Sequence, residues 1–393
     1  MKIPVSVRSS IAGCGIFKEL AEKRSVLESQ GFNIYDFSIE MPDMPPSLDI
    51  RESVSGSATK AWNYSYSLTD MPQLRDAVFS WYHTRYSVTL DPADEIMSAE
   101  GKEDALFCLL NVLTDPGDKV LLTDPCSPYY LSILRLSGCV PVFMPLSEEN
   151  DFLPVLSDIS PSDAASAKAM IISYPNDPTS ATAPDSFYEE LIGFASKNNI
   201  AVIHDNSYSD ISYDGITGKS FLYFDGAKEI GAEINSLSSS YSAYGLKAAF
   251  IVGNKEIISA CASLKACTSK GSFYPVQYGI IAALTSDQSA VEETISLFEY
   301  RRDTMLEALG GTGLKCAPCR GTPFMWVKLP EHIKDDRAFS LDLLEKAHVL
   351  VTPGSAFGSC GKGYIRIALN RRRPFLLEAC EAMKRSGLLD KCC

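Results

Sequence analysis

The sequence predicts an α/β fold: a mainly parallel, doubly wound sheet in a large domain, with a smaller α+β domain beside it. Three observations lead there. From about residue 95, short apolar runs alternate with segments of helical periodicity. Several of the apolar runs are continuous, as strands covered by helices on both faces require. Polar clusters close those runs, at the strand ends where such sheets place ligands: Asp177 after one, Asp205 and Tyr208 after another, Ser236 to Ser240 after a third.

The elements follow in order. "EIMSAEG" reads as extended, and "KEDALFCLLNVL" has its apolar positions at helical spacing. "DPGDKVLLTDP" is a turn and a buried strand. "YYLSILRLSG" is a helix that Gly138 stops. "VPVFMPL" and "AKAMIISYP" are strands. "DSFYEELIGFASKNN" is an amphipathic helix opened by an Asp/Ser cap. "IAVIHDN" is an apolar strand with a polar end, and "EINSLSSS" and "LKAAFIVGN" complete the series. A long helical segment, Ser289 to Gly311, bridges to a region of strand–helix–strand character in "TPFMWVKLP", "HVLVTPGSAFG" and "GYIRIALN". Three regions are therefore expected. Residues 1–45 pack with the small domain, because so short a segment cannot bury a core of its own. Residues 46–288 form the large domain, and residues 289–393 the bridging helix and small domain.

Composition narrows the function. Hydrophobic residues make up 46% of the 393 and charged residues 22%, the balance of a soluble globular protein. A net charge of −13 repels a phosphate backbone, so nucleic acid is not an expected partner. A local pocket for one small anion is compatible with that charge. The amino terminus has no long apolar run, and no stretch approaches the roughly 20 apolar residues that span a bilayer, so no membrane association is expected. Twelve cysteines without framework spacing read as reduced thiols of a cytoplasmic protein. Cys316 and Cys319 form a single CxxC with no second pair or histidines at a suitable spacing, so no metal site is expected. Cys392 and Cys393 read as an exposed tail, not a lipidation signal.

The motifs form an ordered set: "FSIEMPD", "MPQLRDAV", "AEGKEDALFCLLNVLTDPGDKVLLTDP", "SYPNDPTSA", "AVIHDNSYSDISYDG", "SLSSSYSAYGLKAAFIVGN", "VTPGSAFG" and "GYIRIALN". In that order, collinear from about Ile34 to Ala368, the chain resembles the fold-type I aminotransferases that use pyridoxal 5′-phosphate (PLP). The resemblance implies the PLP-transferase fold with a seven-stranded-type sheet. It also implies PLP or its amine form (PMP), an amino-acid-like ligand and a homodimer. It assigns Asp205 to the pyridine nitrogen, Tyr208 to the ring hydroxyl, Ser236 to the phosphate and Arg366 to the substrate carboxylate. Gly101 falls where backbone approaches the phosphate, and Tyr64 or Tyr66 near a contact that would cross to a second subunit. Taken singly, Asp205 is equally a strand-end cap and Tyr208 a core aromatic with a wet tip. Their joint spacing with Ser236 favours a site.

The departures from the family pattern are as informative. Ser239 occupies the position of the Schiff-base lysine, and a hydroxyl forms no imine with an aldehyde. Lys247 replaces the phosphate arginine and lacks its planar fork. Asp177 replaces an asparagine beside the ring oxygen, and Ser180 a glycine. Ser127 stands where an aromatic stacks on the ring, and Lys102 where a small residue is usual. Glu40 replaces a glycine next to the substrate carboxylate, bringing like charge and bulk. His204 precedes Asp205 on a strand and so points to the opposite face. The expectation from these departures is an aminotransferase-like protein without ordinary transaminase activity, with Ser239 inert and any PLP, PMP or other small anion held non-covalently. Two alternatives remain open. One is an active PLP- or PMP-dependent transferase or lyase with altered chemistry on an amino-acid-like substrate; the other is a non-catalytic subunit.

Overall fold

The protein is described by a computed structural model covering residues 3, 5, 6, 15–40 and 43–390. The tail expected at Cys392 and Cys393 lies outside the described residues. In chain order the strands are β1 (Tyr35–Asp36), β2 (Ile96–Glu100), β3 (Lys119–Asp124), β4 (Val140–Pro145), β5 (Ala167–Ile172), β6 (Ala201–Asp205) and β7 (Gly231–Ser236). They continue with β8 (Ala248–Gly253), β9 (Lys315–Cys316), β10 (Phe324–Lys328), β11 (Val349–Leu350), β12 (Thr352–Pro353) and β13 (Tyr364–Ala368).

Seven strands form the large sheet in the order β2-β8-β7-β6-β5-β3-β4. Pairing is parallel from β4 across to β7 and antiparallel on both sides of β8. The reversal of β8 brings its first residues to the same edge as the carboxyl ends of β2, β3, β5, β6 and β7. That edge is where the helices and loops following the strands converge. The continuously apolar runs behave as their composition requires: every residue of β7 and β8 is buried, and β6 is buried from Val202 onward.

Helix limits follow local chemistry. The helix Pro128–Leu136 ends before Gly138, whose φ of +82° reverses the chain without a Cβ penalty. The helix Asp185–Asn198 differs from the sequence expectation at its start. Pro184 holds the N-cap position and provides no side-chain cap. Asp185 sits inside the first turn, where its charge complements the positive helix end, and pairs with Lys219.

A four-stranded antiparallel sheet, β12-β13-β10-β9, carries the second core, around Met325, Val327, Ile365 and Ile367. β1 pairs in parallel with β11, and Leu20 and Leu27 of the helix Gly15–Ser29 pack with Leu344 and Leu350. Residues 37–40 then run as a strap over the small sheet. The amide of Ala368 donates to the Phe37 carbonyl (3.0 Å), and the Thr352 hydroxyl donates to the Ser38 carbonyl (2.8 Å). Asn370 donates to the Ile39 carbonyl at 2.8 Å. Among the described residues no helix is long and apolar enough to cross a membrane, and no cluster of three potential metal ligands occurs. Burial pushes the Cys316 thiol up to about 12, and Cys319 is buried, its thiol donating to the Phe324 carbonyl at 3.2 Å.

Candidate active site

A cavity of about 530 Å3 opens at the carboxyl edge of the large sheet, against the small sheet. Glu40, Gly101, Lys102, Ser127, Asp177, Tyr208, Ser236, Ser239, Lys247 and Arg366 all line it. Asp205 is set just behind. Residues spread over more than 300 positions therefore meet in one place, because the strand ends and the strap converge there.

Asp205 ends β6 and is 2% exposed. One carboxylate oxygen accepts from the Tyr130 hydroxyl at 2.6 Å; the other accepts from the amide and hydroxyl of Ser207. Burial raises its pKa, but the Lys102 ammonium and these hydrogen bonds outweigh burial and hold it below the ordinary value. Asp205 is thus a fixed negative charge. His204, the residue before, faces away and bonds Glu233 through Nδ1 at 2.8 Å.

The Lys102 side chain runs across the cavity. Its Nζ lies 3.4 Å from the Tyr208 hydroxyl and 4.6 Å from the centre of that ring. Burial lowers its pKa, but Asp205, Tyr130, Asp177 and Glu103 raise it further, so it stays protonated. At the other end, Gly101 precedes the helix Lys102–Leu113 with φ +96°. The hydroxyls of Ser236 and Ser238 are 3.0 Å apart, and Lys247, with φ +47°, is exposed at the rim. Helix-start amides, clustered hydroxyls and a lysine form an anion cradle.

Arg366 is 6% exposed and lies between aromatic faces, 3.9 Å from the centre of Phe324 and 4.6 Å from that of Phe357. Its Nη1 donates to Asp177 at 2.7 Å and its Nη2 to the Ser38 carbonyl at 3.0 Å, while Nε is buried without a partner. Asp177 is thus the guanidinium's counter-ion. Glu40, expected beside that arginine, turns instead to the hydroxyls of Tyr208 (3.3 Å) and Tyr244, with the Ser239 hydroxyl against it. Burial raises its pKa, only partly offset by Tyr244, Ser239 and Lys102. Ser127 is buried and leads into the helix Pro128–Leu136. Ser180 sits just outside the cavity with φ +60°, its hydroxyl bonded to the Phe324 carbonyl (2.5 Å) and to Thr322 (2.9 Å). Tyr64 and Tyr66 do not line the cavity and are 66% and 73% exposed.

Sequence reading passed over Tyr130, Ser207, Tyr244 and the two phenylalanines around Arg366. Tyr130 had a signal in its spacing, three residues past Ser127 on a helix face. Tyr244 had none, because its role depends on Glu40, which is 204 residues away.

The donor set fits PLP at two places. The buried, ionised Asp205 suits a protonated ring nitrogen, and the cradle between Gly101 and Lys247 suits a phosphate. The comparisons agree. The family model "Aminotransferase class I and II" matches residues 35–383. The LL-diaminopimelate aminotransferase of Halothermothrix orenii is 36% identical over 381 residues, 96% of this chain and 97% of that protein. That of Dehalococcoides mccartyi strain 195 is 37% identical over 359 residues, 90% of each chain. Among solved structures, substrate-bound BacF from Bacillus subtilis superposes with a TM-score of 0.93 at 32% identity, over 98% of each chain. A probable N-succinyldiaminopimelate aminotransferase from Thermus thermophilus gives 0.90 at 32%, over 94% of this chain and 100% of that one. These likenesses overturn the expectation of a protein without transaminase activity. Relatives alike over nine-tenths or more of both chains are named as aminotransferases. The cavity itself, with Asp205 kept ionised and Arg366 held between two rings, is built and charged, not collapsed.

Proposed function

We propose, from the premise that this chain belongs to the class I and II aminotransferases, that it transfers amino groups between amino-acid-like substrates and 2-oxo acids with PLP and PMP held non-covalently. The observation that carries this reading is the meeting of Asp205, the anion cradle and Arg366 in one cavity. When bound, the cofactor supplies a carbonyl that takes up nitrogen and a ring that accepts an electron pair. Asp205 would keep the ring nitrogen protonated, and Tyr130 and Ser207 keep Asp205 ionised. The helix-start amides, Ser236, Ser238 and Lys247 would hold the phosphate. Tyr208 would turn its single hydroxyl proton from Glu40 to the ring oxygen, leaving Glu40 to Tyr244 and Ser239.

Arg366 would bind the substrate carboxylate through its free donors, with Phe324 and Phe357 keeping the guanidinium in place and shielding it from water. Asp177 competes for the same cation and would be displaced or shared. The relatives named for diaminopimelate act on a substrate with two amino groups. Lys102, Glu40 and Asp177 set charged groups into a cavity wall that is otherwise largely apolar, which suits a substrate with a second charged group. The exposed run Trp62, Tyr64, Tyr66 and Leu68 supports a homodimer that covers it.

The test is amino transfer by the purified full chain. PMP-loaded protein is mixed with a panel of 2-oxo acids, and PLP-loaded protein with amino acids including diaminopimelate. The PLP-loaded protein is then treated with borohydride and mapped by mass spectrometry. Amino transfer without a borohydride-fixed adduct is expected. An adduct on Lys102 or Lys247 would replace the non-covalent reading with a covalent one. No transfer in either direction would end the proposal.

A further inference from the structure

Amino transfer, the reading on which this inference rests, requires a proton to leave the amino-bearing carbon so that its electron pair can pass on. Few groups in the cavity can take that proton. Asp205 is held ionised and is a weak base. Asp177 is engaged with Arg366. Lys102 is kept protonated by the acids around it, and Lys247 is exposed at the rim, in the anion cradle. Burial keeps the Tyr208 and Tyr244 hydroxyls protonated. Ser239 offers an ordinary alcohol.

Glu103 also lines the cavity but is exposed at its edge. Glu40 differs from all of these. It lines the cavity and makes no ion pair among the described residues. Its carboxylate accepts from the Tyr244 hydroxyl and lies against Ser239, and in the ligand-free cavity it also accepts from Tyr208. It comes from the strap, whereas Ser239 and Tyr244 follow β7. We propose that Glu40 is the catalytic base and acid of this chain, positioned by Tyr244 and Ser239. Its carboxylate would take the proton as the C–H bond breaks, the electron pair being left to the ring that the cofactor supplies, and the resulting carboxylic acid would give that proton back, so Glu40 ends the half-reaction as it began. Over the half-reaction the amino acid would become a 2-oxo acid, losing its C–N bond and two electrons to the cofactor; one water leaves as nitrogen is taken up and one is consumed as the 2-oxo acid is released, and a second 2-oxo acid reverses these changes. Burial raises the carboxyl's affinity for a proton, which strengthens it as a base, and the hydroxyls keep it aimed.

The test uses full-length protein and the variants Glu40→Gln, Tyr244→Phe and the double variant Glu40→Gln with Ser239→Lys. PMP affinity is measured by equilibrium titration, and loss of the amino acid's α-proton by NMR in deuterium oxide with PLP present. A third readout needs no cofactor: the carboxyl band in the infrared difference between wild type and Glu40→Gln, followed against pH. In wild type this band should titrate above the ordinary carboxyl range. Glu40→Gln should keep PMP affinity and lose exchange by about 100-fold or more. The acid limb of the wild-type pH profile should disappear with it. Tyr244→Phe removes a bond that lowers the Glu40 pKa, so it should keep that limb and move it to higher pH. A lysine at 239 in the double variant should recover exchange at least in part, an effect that restored packing alone would not give. Exchange at the wild-type rate in Glu40→Gln would overturn the proposal. So would loss of PMP affinity in step with exchange, a missing infrared titration or no recovery in the double variant. Wild-type protein that neither binds PMP nor exchanges would instead bring down the functional reading itself.

Discussion

At the scale of single residues, the Arg366–Asp177 pair decides how the cavity meets a carboxylate. Both partners are almost fully buried, and breaking such a pair leaves one charge without compensation. Asp177→Asn should therefore destabilise the ligand-free protein by about 3 kcal/mol in urea unfolding. The same change should tighten binding of a carboxylate ligand by about tenfold, one pK-sized unit of interaction energy, as read by calorimetry. Unchanged carboxylate affinity would show that Asp177 does not compete for Arg366. Asp205 and Lys102 give a pH prediction. The Asp205 pKa is depressed below its ordinary 3.8, so its contribution to stability is present above that value and lost as pH falls through the lower folded-state pKa. Lys102→Met removes the largest influence lowering it and leaves the Ser207 and Tyr130 hydrogen bonds to oppose burial. The folded-state pKa should rise, so the stability gained between acid and neutral pH should shrink in the variant. Urea midpoints measured from pH 3 to pH 7 check this, and parallel curves for wild type and variant would refute it.

At the scale of elements, the loop after β5 shows how a local conformation ties the two sheets together. Ser180 has φ +60°, a region that suits glycine, yet its hydroxyl reaches the Phe324 carbonyl at the head of β10. Ser180→Ala should keep the strain and lose the bond, costing about 1–2 kcal/mol. Ser180→Gly loses the bond but also relieves the strain, so it should lie within about 1 kcal/mol of wild type. Denaturation curves that place the alanine variant above the glycine variant would contradict this account. Elements of this kind mark the limit of what the sequence discloses. β5, β6 and β8 were legible because buried strands are continuously apolar, and Asp205 because it ends such a run. The start of the helix Asp185–Asn198 was misjudged by one residue, since an Asp inside the first turn and an Asp cap look alike in sequence. The pairing of Asp177 with Arg366 spans 189 positions and left no local pattern. The turn of Glu40 toward Tyr244 depends on where the strap crosses the sheet edge, which no residue near Glu40 encodes. The expectation of a protein without transaminase activity, drawn from Ser239 together with the departures beside it, is overturned by relatives alike over most of both chains that are named as aminotransferases.

At the scale of the whole molecule, the cavity is shared by two cores, and a ligand seated there should hold them together. PMP at about 100 times its dissociation constant should add about 2.7 kcal/mol to the unfolding free energy, read as a rise in melting temperature. Asp205→Ala should abolish that rise. A rise of equal size in the variant would remove Asp205 from the cofactor site. The net charge of −13 works against arrival of an anionic cofactor at long range, although Lys102, Lys247 and Arg366 favour it at the cavity itself.

The strap of residues 37–40 serves both halves of the protein. Its carbonyls satisfy donors on and beside the small sheet, while the next side chain in line is fastened to tyrosines that follow β6 and β7 of the large sheet. The chain bends at Ser38 and Ile39, and the carbonyls of residues 37–39 fix where Glu40 stands. Inserting or deleting one residue between Ser38 and Glu40 would shift the glutamate away from its tyrosines while leaving the small-sheet bonds free to re-form. Length in this segment is therefore constrained as strictly as residue identity, and a frame-preserving insertion of one amino acid there should act like loss of the side chain itself.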